Sequence, residues 1–193
     1  MALVLIKSGE YAFEEKRSKF IGYCTPVSSE MDAKQFVDSI RQRHSDATHN
    51  CFAYGIDGTA GNITRFGDDG EPQGTAGIPI LNVFLKGGVV DFACVVTRYY
   101  GGVMLGAGGL VRAYSKAAKG ALEASGVMQR FFYSEYKVIC DYSQVDKVKY
   151  FFDKWGIEIV NSAFSDRCEM DVRVRDDLSD SFLKGDFYAY EKR

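Results

Sequence analysis

An α/β chain of the α+β kind, built as two domains, is what this sequence predicts, and three observations predict it. Strand-like and helix-like apolar periodicities alternate along all 193 residues. Gly126 closes a long amphipathic stretch, and a second series of patterns starts just beyond it. The two series also differ in order, ββαβαβα before Gly126 and βαββαβ after it, the latter being a ferredoxin-like split pattern. The expected domains are therefore 1–126 and 132–193.

Taken in order, residues 11–16 alternate apolar and charged side chains, and Lys19 to Thr25 forms a second apolar run ending at Pro26, two strands with a tight connection. Ala33, Phe36, Val37 and Ile40 then recur at helical spacing behind Ser28 and Ser29, so a capped helix over 30–44 follows. Residues 48–56 read as a strand and 57–62 as its loop. A helix is expected over 75–86, with Thr75 able to cap it and Pro79 tolerated in its first turn. Residues 89–100 are rich in β-branched and aromatic side chains with little alternation, the mark of a central strand covered on both faces. Gly106 to Leu110 then opens the long helix that Gly126 ends. In the second series, 135–142 is a strand, 145–155 a helix closed by Gly156, 157–164 and 169–175 two strands, 176–184 a short helix and 187–190 a last strand.

Composition narrows the function classes. The net charge is −2, with 13 basic against 13 acidic residues up to Gly126 and 11 against 13 after it, so neither half is a basic module. Any contact with nucleic acid needs a local patch of Lys and Arg. Cys24, Cys51, Cys94, Cys140 and Cys168 are odd in number, widely spaced and set in apolar runs. They read as buried free thiols of a reducing, cytoplasmic compartment rather than as zinc ligands or disulfides. The opening Ala2 to Ile6 run is too short for a signal sequence, and no apolar run reaches the length of a membrane span.

Two constellations carry the chemistry. The first is an acidic turn, Asp68, Asp69 and Glu71 among glycines, with His49 upstream. Such carboxylates can hold a hard cation or supply a base, while Asp-Asp-Gly is equally ordinary turn chemistry. The second is Arg98-Tyr99-Tyr100-Gly101-Gly102, followed by Leu105-Gly106-Ala107-Gly108-Gly109-Leu110, with Arg112, Tyr114 and Lys116 on the first turns of the helix it opens. A glycine-rich loop entering a helix presents free N–H groups and the positive dipole end, an anion site that Arg98 and Arg112 would close. The alternative is that the glycines only permit close packing and the arginines pair with the acidic turn. The stretch is neither a Walker loop nor a dinucleotide fingerprint, no EF-hand pattern occurs, and no serine elbow supports a nucleophilic triad. His49 and His44 are the only histidines, so the ligand set of a metal-dependent hydrolase is not evident, and no metal or cofactor is implied.

Four motifs together resemble the IMPACT family in its bacterial YigZ-type branch: Lys16-Arg-Ser-Lys-Phe-Ile21; His49-Asn-Cys51 with Ala53-Tyr54; Gly67-Asp-Asp-Gly-Glu-Pro72 with Gly74-Thr-Ala-Gly77; and Arg98 to Gly102 through Leu105 to Tyr114. They span most of the first 125 residues. The resemblance implies an N-terminal left-handed βαβ fold shared with some ribosomal proteins, elongation factor G and GHMP-type kinases, and a ferredoxin-like C-terminal domain. It also implies a link to translational control, the role associated with the family's eukaryotic member. The expected activity is that of a binding protein rather than an enzyme, recognising RNA or a ribosome-related partner. The expected phosphate contacts are Arg98, Arg112, Lys116, Arg17 and Lys19, with Tyr99, Gly101, Gly102, Gly106, Gly108 and Gly109 shaping the site. The rival expectation is a small-molecule enzyme acting on a phosphorylated or carboxylated substrate at the glycine-rich loop. The sequence sets no oligomeric state.

Overall fold

The computed structural model describes residues 2–58, 61–184 and 189–192. The chain divides into two compact units, residues 1–130 and 131–193, and the described residues form a mixed α/β architecture with three sheets whose strand pairs are all antiparallel.

In the first unit the strands β1 (Ala2–Leu5), β2 (Gly9–Glu15), β3 (Ser18–Pro26), β4 (His49–Gly58), β5 (Gly61–Gly67), β6 (Phe92–Tyr99) and β7 (Val127–Arg130) combine with helices α1 (Glu30–Arg43), α2 (Gly77–Lys86) and α3 (Ala107–Ser125). Five strands form one sheet in the order β2-β3-β6-β4-β5. The central β6 is buried almost end to end because its two faces serve two cores. Phe92, Cys94 and Val96 pack with α2 and α3, whereas Ala93 and Val95 pack with Ala33, Val37 and Ile40 of α1. With both faces covered, an alternating sequence would strand polar groups inside, hence the continuous apolar run.

Helix α3 lies close to β2 and β3 because both the helix face and the strands are stripped to small residues. Ala113, Ala117, Ala118 and Ala121 face the sheet. A Cβ at Gly22 would overlap the carbonyl of Ala117, and one at Gly9 the carbonyl of Ala121. The glycines of β2 and β3 are thus contact surfaces for a helix backbone.

Three strands are absent from the sequence-based order. β1 pairs antiparallel with β7, and Leu3 also bridges to Val89, so the short apolar opening run is structural. β5, which the sequence reading covers only at its ends, with the loop over 57–62 and the turn from Gly67, pairs with β4 along its whole length. It lies at the sheet edge with most side chains in solvent, so its Gly-Asn-Ile-Thr-Arg-Phe-Gly sequence shows no apolar alternation. Val127 to Arg130, placed in the linker by the boundary at Gly126, belong to the first unit, where Arg130 also pairs with Asp91.

The second unit comprises β8 (Tyr133–Cys140), α4 (Val145–Trp155), β9 (Glu158–Phe164), β10 (Cys168–Arg175), α5 (Ser179–Leu183) and β11 (Ala189–Lys192), with single 3-10 turns before each helix. The βαββαβ order and sheet order β11-β8-β10-β9 make a ferredoxin-like arrangement. Alternate residues of β8 and β10, including Val138, Met170 and Val172, pack on Val148, Phe152 and Phe182 of the two helices. The first half of the last expected strand, residues 187 and 188, lies outside the described residues.

All five cysteines are buried free thiols. Their wide sequence spacing hides two cross-strand pairings, Cys24 opposite Cys94 and Cys140 opposite Cys168. No helix among the described residues is long and apolar enough to cross a membrane.

Candidate functional site

The acidic turn between β5 and α2 does not gather its carboxylates. Asp68 turns towards α2 and accepts hydrogen bonds from the backbone N–H groups of Gly74 (2.8 Å), Ala76 (3.0 Å) and Gly77 (2.8 Å). Ala76, the residue at the cap position, supplies no side-chain bond, so a carboxylate eight residues upstream caps the helix in place of Thr75. Burial disfavours the charged form of Asp68, but the three N–H donors outweigh it and hold its carboxyl below the usual range. Stability drawn from such a lowered value is complete above the unfolded pKa, about 3.9, and is lost as pH falls through the folded one. Asp68→Asn is therefore expected to lose about 1–2 kcal/mol at pH 7. Urea unfolding at pH 7 and pH 3 should show the gap to wild type narrowing at the lower pH.

Asp69 takes positive φ (45°) and is committed to strand β4. Its carboxylate accepts from the Asn50 N–H at 2.6 Å, and its carbonyl accepts from Nδ1 of His49 at 2.8 Å. Among the described residues no group of three His, Cys, Asp or Glu side chains is placed to hold a metal ion.

Glu71 is the residue of this turn that reaches the interior. Its Oε1 accepts from Nη1 of Arg98 at 2.6 Å and from the Tyr114 hydroxyl at 2.7 Å, with Nε2 of His49 at 3.8 Å. Glu71 is 8% and Arg98 4% exposed, so this is a buried ion pair. The Arg98 guanidinium also donates to Oγ of Ser18 at 3.3 Å and lies between the rings of Phe20 and Tyr100. Burial, then the neighbouring Cys51 and Glu71, push the Tyr114 phenol far up, so it is a neutral donor. Burial likewise raises the Cys51 thiol, which donates to the Asp68 carbonyl and carries no nucleophilic thiolate at neutral pH.

The glycine-rich segment folds around this pair. A Cβ on Gly101 would overlap the Arg17 carbonyl, so only glycine lets the loop after β6 press on the β2–β3 turn. Gly106, with φ 74°, is the N-cap of α3, and no side chain caps that helix. The first-turn N–H groups are left for a ligand or water. Two hollows flank this helix start. One, of about 330 Å³, is lined by His49, Glu71, Pro72, Arg98, Met104 and Leu110 among others. The other, of about 250 Å³, is lined by Phe13, Glu15, Lys16, Gly109, Arg112 and Lys116 among others. The Arg112 Nη1 lies over Gly108 on the first turn, and Lys116 Nζ sits 4.2 Å from the Phe13 ring centre.

The expected site residues therefore separate into three groups. Arg98, Glu71 and His49 come together, but Arg98 is turned inward to Glu71 and is not a free fork for phosphate. Arg112, Lys116 and Gly109 meet Lys16 in the smaller hollow, beside Arg17 in the same turn. Lys19 and Tyr99 leave the site. They are register partners on the α1 face of the sheet, where the Tyr99 hydroxyl bonds to Nδ1 of His44 (2.9 Å) and to Asp46 (3.0 Å). Tyr114, expected on the first turns of α3, turns inward to Glu71, and Ser18 and Lys16 contribute without being among the expected site residues. Their signal lies in register and helix phase, which only the assembled sheet supplies.

Lys16 and Arg17 carry a further clue, since both adopt positive φ, 46° and 65°. Two-residue hairpins of this geometry ordinarily use Asn-Gly. Lys16→Asn with Arg17→Gly is expected to stabilise the protein by about 1 kcal/mol, read by urea unfolding, because non-glycine residues in this region are strained.

Comparison with known proteins places the chain. The Impact N-terminal domain matches residues 16–122, more than half of the sequence, and a domain of unknown function, DUF1949, matches residues 138–184. The IMPACT family member YvyE of Bacillus subtilis is 36% identical over 176 residues, covering 91% of this chain and 81% of the relative. YigZ of Escherichia coli is 37% identical over 153 residues, covering 78% and 74%. A crystal structure described as that of a hypothetical protein superposes with a TM-score of 0.65 at 33% identity, covering 94% of this chain and 88% of the other. The chain belongs to the IMPACT family, of the YigZ type.

Proposed function

We propose that the first unit is a docking module for a nucleic acid, structured RNA or an RNA-bearing ribosomal surface, and that the protein works in translation control in the cytoplasm. One observation carries this reading: Lys16, Arg112 and Lys116 line one hollow on the flank of α3, with Glu15 the acidic residue there and Arg17 next to Lys16 in the β2–β3 turn, and all four cations are exposed and without an ion-pair partner among the described residues. Cations beside free backbone N–H groups suit phosphate oxygens. They form the local patch that a chain of net charge −2 needs for such a contact.

The acidic turn supports a binding role over catalysis. Asp68 and Asp69 spend their oxygens on backbone N–H groups, and Glu71 spends one on Arg98 and Tyr114. The translation link comes with the family.

The test is binding of a panel of RNAs, hairpins and single strands, to wild type and to Arg112→Ala/Lys116→Ala. Wild type is expected to bind and the double variant to bind at least about tenfold more weakly, since each lost phosphate contact weakens binding roughly uniformly across sequences. Lys16→Asn/Arg17→Gly should also weaken binding while raising stability. No RNA binding by wild type, or equal binding by the variants, would overturn the proposal.

A further inference from the structure

We propose that the larger hollow, lined by His49, Glu71 and Tyr100, receives a single unpaired guanine base of the bound RNA. The RNA reading above supplies the source of the base, and the hollow itself supplies the reasons for its identity.

Shape comes first. The hollow of about 330 Å³ is mostly apolar, walled by Pro72, Met104, Leu105 and Leu110 among others. The ring of Tyr100 stands in its lining, 46% exposed, with the Arg98 guanidinium against it. Bases splayed out of single-stranded RNA are commonly held by stacking on such rings. Leu105 lines this hollow and also the smaller one that carries Lys16, Arg112 and Lys116. The two hollows share that side chain, so a phosphate on the cations brings its neighbouring base to the apolar space.

Hydrogen bonding then selects the base. Glu71 spends Oε1 on Arg98 and Tyr114, whereas its Oε2 has no hydrogen bond among the described residues and is not sealed from solvent as Arg98 Nε is. A carboxylate oxygen only accepts, so it calls for a donor on whatever enters. His49 adds a second acceptor. Its Nδ1 donates to the Asp69 carbonyl, which can only accept, and this leaves the Nε2 of the neutral ring with a lone pair, 3.8 Å from Glu71 Oε1. Among the four bases guanine alone sets two donors side by side on its Watson–Crick edge, N1–H and the N2 amino group. Adenine, cytosine and uracil place an acceptor beside each donor there, and an acceptor is repelled by a carboxylate. Charge points the same way: Arg98 already balances Glu71, so a neutral donor suits this end better than a cation or an anion.

The test uses the full chain and two sets of probes. The first is the free ribonucleosides guanosine, adenosine, cytidine, uridine and inosine, which carry no phosphate and report on this hollow alone. The second is short oligouridine strands with one central G, A, C or inosine. In titration calorimetry guanosine is expected to bind at least about tenfold more tightly than the others, inosine included, since inosine lacks the amino group. The strand with G should show the same preference in fluorescence anisotropy. Glu71→Gln keeps an acceptor for Arg98 and Tyr114, puts an amide donor at the open position and should abolish the preference for guanosine. Tyr100→Ala, at a half-exposed ring, should weaken guanosine binding at least about fivefold, and it carries the test if Glu71→Gln does not fold. Guanosine binding no better than the other nucleosides, or unmoved by the variants, overturns the proposal, and the RNA reading stands if the strands still bind. Guanosine bound while no strand binds upholds the guanine site and overturns the RNA reading instead.

Discussion

Glu71→Ala is expected to destabilise the first unit by about 3–5 kcal/mol, because it leaves the Arg98 guanidinium buried with no counter-charge. The figure belongs to the broken pair, not to the worth of the intact one. Removing both partners in Glu71→Leu/Arg98→Met should cost clearly less than the sum of the single changes, since apolar groups of similar volume need no compensation. Urea unfolding of the two single variants and the double variant measures this directly. Additive losses would mean that the two side chains act separately. The prediction bears on function because the same pair anchors both loops of the site. Through Ser18 Oγ, which accepts from Arg98 and from the Gly101 N–H, it ties β3 to the loop after β6.

Gly22→Ala should be nearly as severe, about 3 kcal/mol, and for a steric reason. The added methyl meets a backbone carbonyl of α3, not the end of a flexible side chain, so the helix as a whole must move. Because α3 carries Gly106, Arg112 and Lys116, that movement is expected to weaken RNA binding as well. A variant with wild-type Tm would show that α3 does not rest on β3 at this residue.

The fold was largely readable from sequence where burial is one-sided or complete. The helical spacing of Ala33, Val37 and Ile40 located α1, and the unbroken apolar run of β6 announced a strand covered on both faces. Edge positions were not readable. β5 buries little and so carries no period, and β1 and β7 are four residues each and owe their existence to one another. The site was legible as a neighbourhood but not as a division of labour. Glycines and charges marked the two loops that meet at the Glu71–Arg98 pair. Nothing in the chain order says that Glu71 turns in while Asp68 caps a helix, or that Lys19 and Phe20, adjacent in sequence, leave opposite faces of the same strand. Strand pairing decides that, and one residue of register exchanges the faces.

The central claim is that the cations around α3, and not Arg98, meet phosphate. The salt dependence of RNA affinity tests it most directly, because the slope of log K against log salt counts phosphate contacts. For Arg112→Ala/Lys116→Ala the slope should become shallower by about two relative to wild type. A slope left at the wild-type value in that variant would contradict the account.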